Sequence, residues 1–284
     1  MVGRSAGPAA DGRGTLFIVA TPIGNLADMS QRAIDTLTAA DVILAEDTRT
    51  SRVLLDHFSI TTRMVAAHEH NSARITPMVI ERLAKGERVA VITDAGTPLI
   101  SDPGSPLVRA VRESGFRVSP IPGASALTAA LSASGLDAVP FTFLGFLPRA
   151  GKDRRQAMEL VNSLAHTVVL YEAPGRVSNT LKEIASSSAP DRRCVVAREM
   201  TKVFEEFRDG TVEELAAYYA GSPPRGEVVI LLAPQAAKSF DEEDLRGRVK
   251  ALREAGVSAK DAAAQVSAET GVPRNAVYRL AVKS

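Results

Sequence analysis

VAVITDAGTPLISDPGSP, Val89 to Pro106, decides how the rest of the chain is read. It opens on Val89, Ala90, Val91 and Ile92, a brief, uncharged, mostly β-branched run with the pattern of a strand buried on both faces. Thr93 and Asp94 close that strand. The loop that follows is dense in turn residues: Gly96, Pro98, Asp102, Pro103, Gly104 and Pro106. Glycine lets backbone approach a ligand closely and proline stiffens the path. The plainer reading is a strand-to-helix connection with Pro106 in the first helical turn. Such connections usually take ~2–6 residues, and this one takes about twice the upper figure. A stiff loop with bare amides at the carboxyl end of a buried strand is where open α/β sheets hold ligands.

The same grammar recurs on both sides. Leu16–Ala20 is a short apolar strand, followed by Thr21, Pro22, Ile23, Gly24 and Asn25. This turn has one glycine and no lysine, so neither a Rossmann nor a P-loop fingerprint is present. Ser30 can cap a helix whose Ala33, Ile34 and Leu37 share a face. Val42–Ala45 forms a second strand, ending in Glu46, Asp47, Thr48 and Arg49. His68, Glu69, His70 and Asn71 follow a third apolar stretch. Ile75, Met78, Val79 and Leu83 repeat at helical spacing up to Gly86. After the central strand and loop come a helix carrying Leu107, Val108 and Val111, and the segment Arg117–Ile121. This βαβα order predicts a parallel sheet flanked by helices over residues 15–122.

Residues 123–236 read as a second α/β domain. Ser125, in the PGASA turn Pro122–Ala126, is a natural cap for an apolar helix, with neighbouring amides aimed at any ligand. Phe141–Leu147 is a strand interrupted by Gly145, a sign of close backbone approach. Lys152–Leu164 is helical with Arg154 and Arg155 exposed. Val168–Tyr171, Val195–Ala197 and Val228–Ala233 are further strands, and Thr211 with Glu214 fits a capping box. Residues 237–284 show helical patterns at 242–255, 259–269 and 273–282. The turn Thr270, Gly271, Val272, Pro273 has helix-turn-helix spacing; a helical cap on the main body reads equally well. Residues 1–14, rich in Gly, Ala and Arg, read as a disordered tail without the apolar core of a signal peptide.

Composition sets outer bounds. The 284 residues carry a net charge of +1 and are 45% hydrophobic, which fits about two domains with a real core and no global field for nucleic acid. One cysteine, Cys194, excludes an intramolecular disulfide framework and a multi-cysteine zinc site, and its apolar neighbours mark it as a buried small hydrophobe. No run approaches the ~18 apolar residues of a membrane span. A reducing, cytoplasmic setting is expected.

In order, the chain shows ATPIGNL (20–26), AEDTR (45–49), DAGTPLISDPG (94–104), PGASA (122–126), FLGFLP (143–148), YEAPGR (171–176), REMTK (198–202) and RGE (225–227). Together these resemble the S-adenosylmethionine-dependent tetrapyrrole methylase superfamily and, within it, the ribosomal RNA small subunit methyltransferase I family, from about Leu16 to Ser284. The resemblance implies a two-domain α/β fold of the class III S-adenosylmethionine methyltransferases with a small helical extension, and a homodimer. It implies 2′-O-methylation of a cytidine ribose in the decoding region of 16S rRNA within the small ribosomal subunit. It implies S-adenosylmethionine contacts from Pro22, Asp94, Gly96, Thr97, Ile100, Ser125, Ala126, Phe146, Tyr171, Glu172, Ala173, Gly226, Glu227 and Val228. A sulfonium, an amino-acid end and an adenine need an acid or carbonyls, amides and an apolar slot. Asp94 suits the polar anchor, and Leu99, Ile100, Leu144 and Leu147 the lining.

A ribose hydroxyl also needs a proton acceptor. The candidates are Glu46, Asp47, His68, Glu172 and Glu199, with the Glu46–Asp47–Arg49 cluster and His68 favoured. If Glu46 and Asp47 continue a strand, only one of them faces the cleft. His68 and His70 without a third ligand do not make a metal site. Arg149, Lys152, Arg154 and Arg155, with Arg176, Lys202, Arg274 and Arg279, are candidate RNA contacts, against the alternative of solvated surface. Two other classes compete: a methyltransferase of the same fold acting on a tetrapyrrole or another small substrate, and a non-catalytic RNA-binding module built on the tail. The second leaves the paired loops without a purpose.

Overall fold

A computed structural model describes residues 13–68, 71–102, 104–235, 242–270 and 272–283. The tail up to residue 12, Glu69 and His70 of the histidine stretch, Pro103 of the central loop, Asp241 at the acidic helix start and Gly271 of the helical turn lie outside the described residues. The chain divides into two compact units, Met1–Pro234 and Gln235–Ser284.

The first unit holds two five-stranded sheets. One is built from β1 (Thr15–Val19), β2 (Val42–Ala45), β3 (Met64–Ala66), β4 (Arg88–Ile92) and β5 (Arg117–Ile121), in the order β3-β2-β4-β1-β5. Every pairing in it is parallel, as the βαβα pattern predicts. Helices α1 (Gln31–Thr38), α2 (Thr48–His57), α3 (Ser72–Ala84) and α4 (Ser105–Glu113) connect the strands. Ser30 Oγ accepts from Ala33 N–H at 3.2 Å, starting α1 as expected, and Ala33 and Leu37 are fully buried. Because the strands are parallel, their carboxyl ends share one edge. The turns after β1, β2, β4 and β5 therefore converge there.

After helix α5 (Ala126–Ala133) comes the second sheet: β6 (Phe141–Phe146), β7 (Thr167–Glu172), β8 (Arg193–Arg198), β9 (Glu206–Thr211) and β10 (Val228–Leu232), ordered β6-β7-β10-β8-β9. Only β6 and β7 run parallel; the other pairs are antiparallel. Helices α6 (Gly151–Ser163), α7 (Val177–Ala185) and α8 (Val212–Gly221) cover it. The Thr211–Glu214 capping box forms in both directions, and Cys194 is buried in this sheet's core.

Two expectations are corrected here. Glu46 and Asp47 do not continue a strand: β2 stops at Ala45, and Asp47 is the N-cap of α2, its carboxylate accepting from Arg49 N–H at 2.8 Å. Leu147 does not line a cleft: it is buried with Met158 and Val161, and Leu144 packs on the same core.

The second unit comprises α9 (Glu242–Glu254), α10 (Ala259–Thr270) and α11 (Arg274–Lys283) around a core of Leu245, Val249, Ala263, Val266, Val277 and Ala281. No described helix is long and apolar enough to cross a membrane.

Candidate active site

The loop after β4 reaches across to the second sheet. Its backbone is anchored to the turn after β1, where Thr21 and Gly96 exchange N–H···O bonds of 2.9 and 3.1 Å. Beyond that anchor Leu99 (φ 74°) and Ser101 (φ 69°) take left-handed conformations. On the opposite wall, the turn after β8 does the same at Glu199 (φ 50°) and Thr201 (φ 66°). Each such residue costs on the order of 1–3 kcal/mol, and such strain persists only where surrounding structure holds it. Here it frames a cleft.

The walls touch at glycines. A Cβ on Gly145 would lie 2.8 Å from Ser101 Oγ, and one on Gly24 2.7 Å from Lys202 Cγ. The strand interruption predicted at Gly145 is thus a real contact: β6 shifts register between Phe143 and Gly145 to admit the loop.

The cleft holds a cavity of about 100 Å³ that opens to solvent. Its first wall carries Gly96, Thr97, Ile100, Ser101 and Asp102, its floor Ser125 and Ala126, and its second wall Phe146, Tyr171, Glu199, Met200, Lys202, Glu227 and Val228. Of the positions expected to hold the methyl donor, Gly96, Thr97, Ile100, Ser125, Ala126, Phe146, Tyr171, Glu227 and Val228 meet here. Pro22, Asp94, Glu172, Ala173 and Gly226 lie outside the lining. Gly226 still shapes it, because Glu199 Oε1 occupies the space its Cβ would need. Asp94 is exposed beside α2, where the Asp47 N–H bonds it. Leu99 packs into the first sheet's core rather than the cleft.

Ser125 does not cap α5 with its side chain. The Tyr171 phenol oxygen does that work instead, accepting from Leu127 N–H at 3.0 Å and so joining the second sheet to the start of the helix. Tyr171 also makes edge contacts with Phe143 and Phe146 at 4.8 and 5.7 Å. Burial raises its pKa, so it stays a neutral phenol.

Three of the expected charged residues have internal work. Arg154 is buried rather than exposed, donating to Glu183, to Pro148 O and to Thr180. Arg176 grips Leu147 O at 2.8 Å and pairs with Glu172 at 3.2 Å. Glu172, 1% exposed, accepts from Thr180 Oγ1 at 2.6 Å, so it is held inside rather than offered to a substrate. Arg149, Lys152 and Arg155 remain exposed, as do Arg274 and Arg279 on the second unit. Lys202 lines the cleft, paired with Glu199 at 2.9 Å.

Among the candidate bases, Asp47 is held well below the usual carboxylate range, at about 2, chiefly by the side-chain hydrogen bonds of Arg49. A carboxylate that weak is a poor proton acceptor. Glu46 Oε2 accepts from Thr93 Oγ1 at 3.2 Å. His68 lies on the rim of a second cavity. Asp102, which sequence reasoning treated only as a turn residue, lines both cavities. Glu199 and Lys202, expected as a candidate base and a candidate RNA contact, form one cleft wall together with Met200. No group of three metal-ligating side chains occurs among the described residues.

Residues 15–216 match the family described as Tetrapyrrole (Corrin/Porphyrin) Methylases, and residues 240–284 match the RsmI C-terminal HTH domain. Proteins called Ribosomal RNA small subunit methyltransferase I are similar over nearly the whole chain. The one from Pseudomonas aeruginosa is 45% identical over 276 residues, covering 95% of this chain and 97% of its own. The one from Mesorhizobium japonicum is 43% identical over 280 residues, covering 98% and 95%. Among solved structures, a cobalt precorrin-4 methyltransferase superposes with a TM-score of 0.61 at 17% identity, over 80% of this chain and 97% of that one. A diphthine synthase gives 0.61 at 18%, over 85% and 95%. At that identity the structures speak to the fold alone.

Proposed function

The chain belongs to the tetrapyrrole methylases and, within them, to the ribosomal RNA small subunit methyltransferase I family, and from that premise we propose that it uses S-adenosylmethionine to methylate the ribose 2′-hydroxyl of a cytidine in the decoding region of 16S rRNA. The observation that carries the reading is similarity above 40% identity to rRNA methyltransferases along nearly the full length of both partners. The proposal extends to a cytoplasmic homodimer acting on the small subunit. Val203 and Phe204, 93% and 73% exposed on the turn after β8, are apolar surface that a second copy would cover.

The cleft's chemistry fits the donor. Glu199 and Glu227 place carboxylates around the space, Phe146 and Tyr171 supply flat apolar surface, and Ser125 and Ala126 bring the start of α5 to it. These match a sulfonium, an adenine and a carboxylate respectively. When bound, the donor supplies a methyl group already activated on positive sulfur. The chain's own task is alignment, which can contribute on the order of 7–11 kcal/mol. The strained loops serve that task by fixing the walls before any ligand arrives. Exposed Arg149, Lys152 and Arg155 offer backbone-directed charge for RNA. A tetrapyrrole, with several carboxylates, would want several cations in the cleft. Its lining holds Lys202, already paired with Glu199.

Mass mapping of rRNA ribose methylation in a strain lacking the chain tests the proposal. Loss of one cytidine 2′-O-methyl group from the decoding region is expected, and an unchanged methylation map refutes it.

A further inference from the structure

Beside the donor cleft lies a second cavity of about 420 Å³. Its walls come from the segment after β3, from α3 and from the start of α4. Its lining divides between apolar Ala67, Ile75 and Leu107 and polar His68, Thr76 and Ser105. That is the division a nucleobase requires, an apolar face for its ring and polar groups for its edge. Ser101 and Asp102 line both cavities, so that dipeptide forms part of the partition between them. Ser101 is the left-handed residue that touches Gly145, so the partition is held from the second sheet.

Asp102 is equipped for one role at this partition. Thr93 Oγ1 hydrogen-bonds its carboxylate, and the same hydroxyl is within reach of Glu46. One hydroxyl proton cannot serve both acids, so Asp102 is under-supplied with donors. The groups facing it are acidic or neutral: Glu46 from the end of β2, Asp94 from its own loop, Glu227 ahead of β10 and the Tyr171 phenol from β7. Lys202 lines the same cleft but is paired with Glu199, and His68 lines the second cavity.

We propose that the second cavity receives the acceptor nucleoside, swung out of its RNA stack, and that Asp102 takes the proton from its ribose hydroxyl. The assignment rests on the RNA ribose methylation proposed above. In the step, the ribose O–H bond breaks and its proton passes to an Asp102 oxygen. The ribose oxygen bonds to the methyl carbon of the sulfonium donor, and the electron pair of the broken carbon–sulfur bond leaves with sulfur as a neutral thioether. Asp102 then returns its proton to water. Burial raises the Asp102 pKa, and the charges of Glu46, Glu227 and Asp94 add to the rise against the Thr93 hydrogen bond, which makes the ionised form a stronger base than a free aspartate. The raised value also means that ionised Asp102 opposes folding. The native state holds the extra proton between 3.8 and the raised value, so stability falls as pH rises through that window and stays lower above it.

The test compares wild type with Asp102→Asn and Ser105→Trp, using undermethylated 30S particles and S-adenosylmethionine. Ser105 is exposed at the first residue of α4, so the indole fills the second cavity from its lip. For Asp102→Asn, kcat falls ~10²–10⁴-fold, and the rise of kcat with pH seen in wild type disappears. Its calorimetric affinity for S-adenosylmethionine stays within about threefold, and its melting temperature is equal or higher. Ser105→Trp keeps donor affinity and loses methyl transfer by at least about tenfold. Undiminished kcat in Asp102→Asn, a loss explained wholly by weaker donor binding, a lower melting temperature, or full activity in Ser105→Trp overturns the assignment. A wild-type chain that moves no methyl to RNA overturns the proposed function itself.

Discussion

Gly145→Ala isolates the contact on which the donor cleft depends. The residue sits at φ 62°, and its new methyl group would lie 2.8 Å from Ser101 Oγ, with the next neighbour, Ser101 Cβ, at 3.9 Å. Two penalties follow. An L-residue in the left-handed region costs roughly 1–2 kcal/mol wherever it is placed. Contact with Ser101 adds about 0.5–1.5 kcal/mol, the cost of turning the exposed hydroxyl off its rotamer to make room. The second penalty needs Ser101 Oγ and the first does not. In a Ser101→Ala background the clash disappears and only the backbone cost remains. A double-mutant cycle should therefore show a coupling of about 0.5–1.5 kcal/mol, which is a melting-temperature difference of roughly 1–6 °C at about 2–4 °C per kcal/mol. Donor affinity, measured by calorimetry, should fall in Gly145→Ala and recover in the double variant. Equal cost of Gly145→Ala in both backgrounds would refute the reasoning, since the loop after β4 would then not rest on β6.

Tyr171→Phe removes the acceptor of Leu127 N–H and leaves a half-buried amide at the start of α5; thermal unfolding should show a loss of about 1–3 kcal/mol, and an unchanged melting temperature would remove Tyr171 from its capping role. Arg154→Ala and Arg155→Ala should differ in kind. The first breaks buried bonds to Glu183, Pro148 and Thr180 and costs at least about 1.5–3 kcal/mol. The second stays within about 0.5 kcal/mol but flattens the salt dependence of RNA binding by about 0.7–0.9 in log–log slope. Asp47→Asn addresses acid stability. The folded-state pKa is depressed from 3.8 to about 2, so the stabilisation is present above the ordinary value and is lost as pH falls through that window. Melting curves of the variant should show a shallower decline between those values than wild type does.

Much of the fold was legible because its signals are local. The short β-branched runs, the Ser30 cap and the Thr211–Glu214 box each concern residues within a few positions of one another, and each formed where the residues indicated. Helix α2 was missed because its only start signal, Asp47, stood in a cluster that also read as a catalytic acid; Arg49 satisfies both readings in sequence and only one in space. Helix α7 follows PGR, which reads as a turn, and β9 contains Asp209 and Gly210, both poor strand formers. The cleft was legible as two sets of loops, since glycine and proline announce themselves. The roles of charged residues were not. Arg154 and Arg155 are adjacent and identical in sequence, but helical rotation buries one among carbonyls and leaves the other in water. Asp102 was hidden for the opposite reason: a proline-flanked aspartate reads as a turn until two cavities are seen to meet at it.

The most direct test of the cleft is titration of the purified chain with S-adenosylmethionine by calorimetry, repeated with Gly226→Ala. In that variant the new methyl group must displace the Glu199 carboxylate, and with it the pair to Lys202. One saturable site per chain in wild type, weakened in the variant, is the expected result. Absence of saturable binding to the wild-type chain, or binding indifferent to Gly226→Ala, would contradict a methyl donor held between the loops of the two sheets.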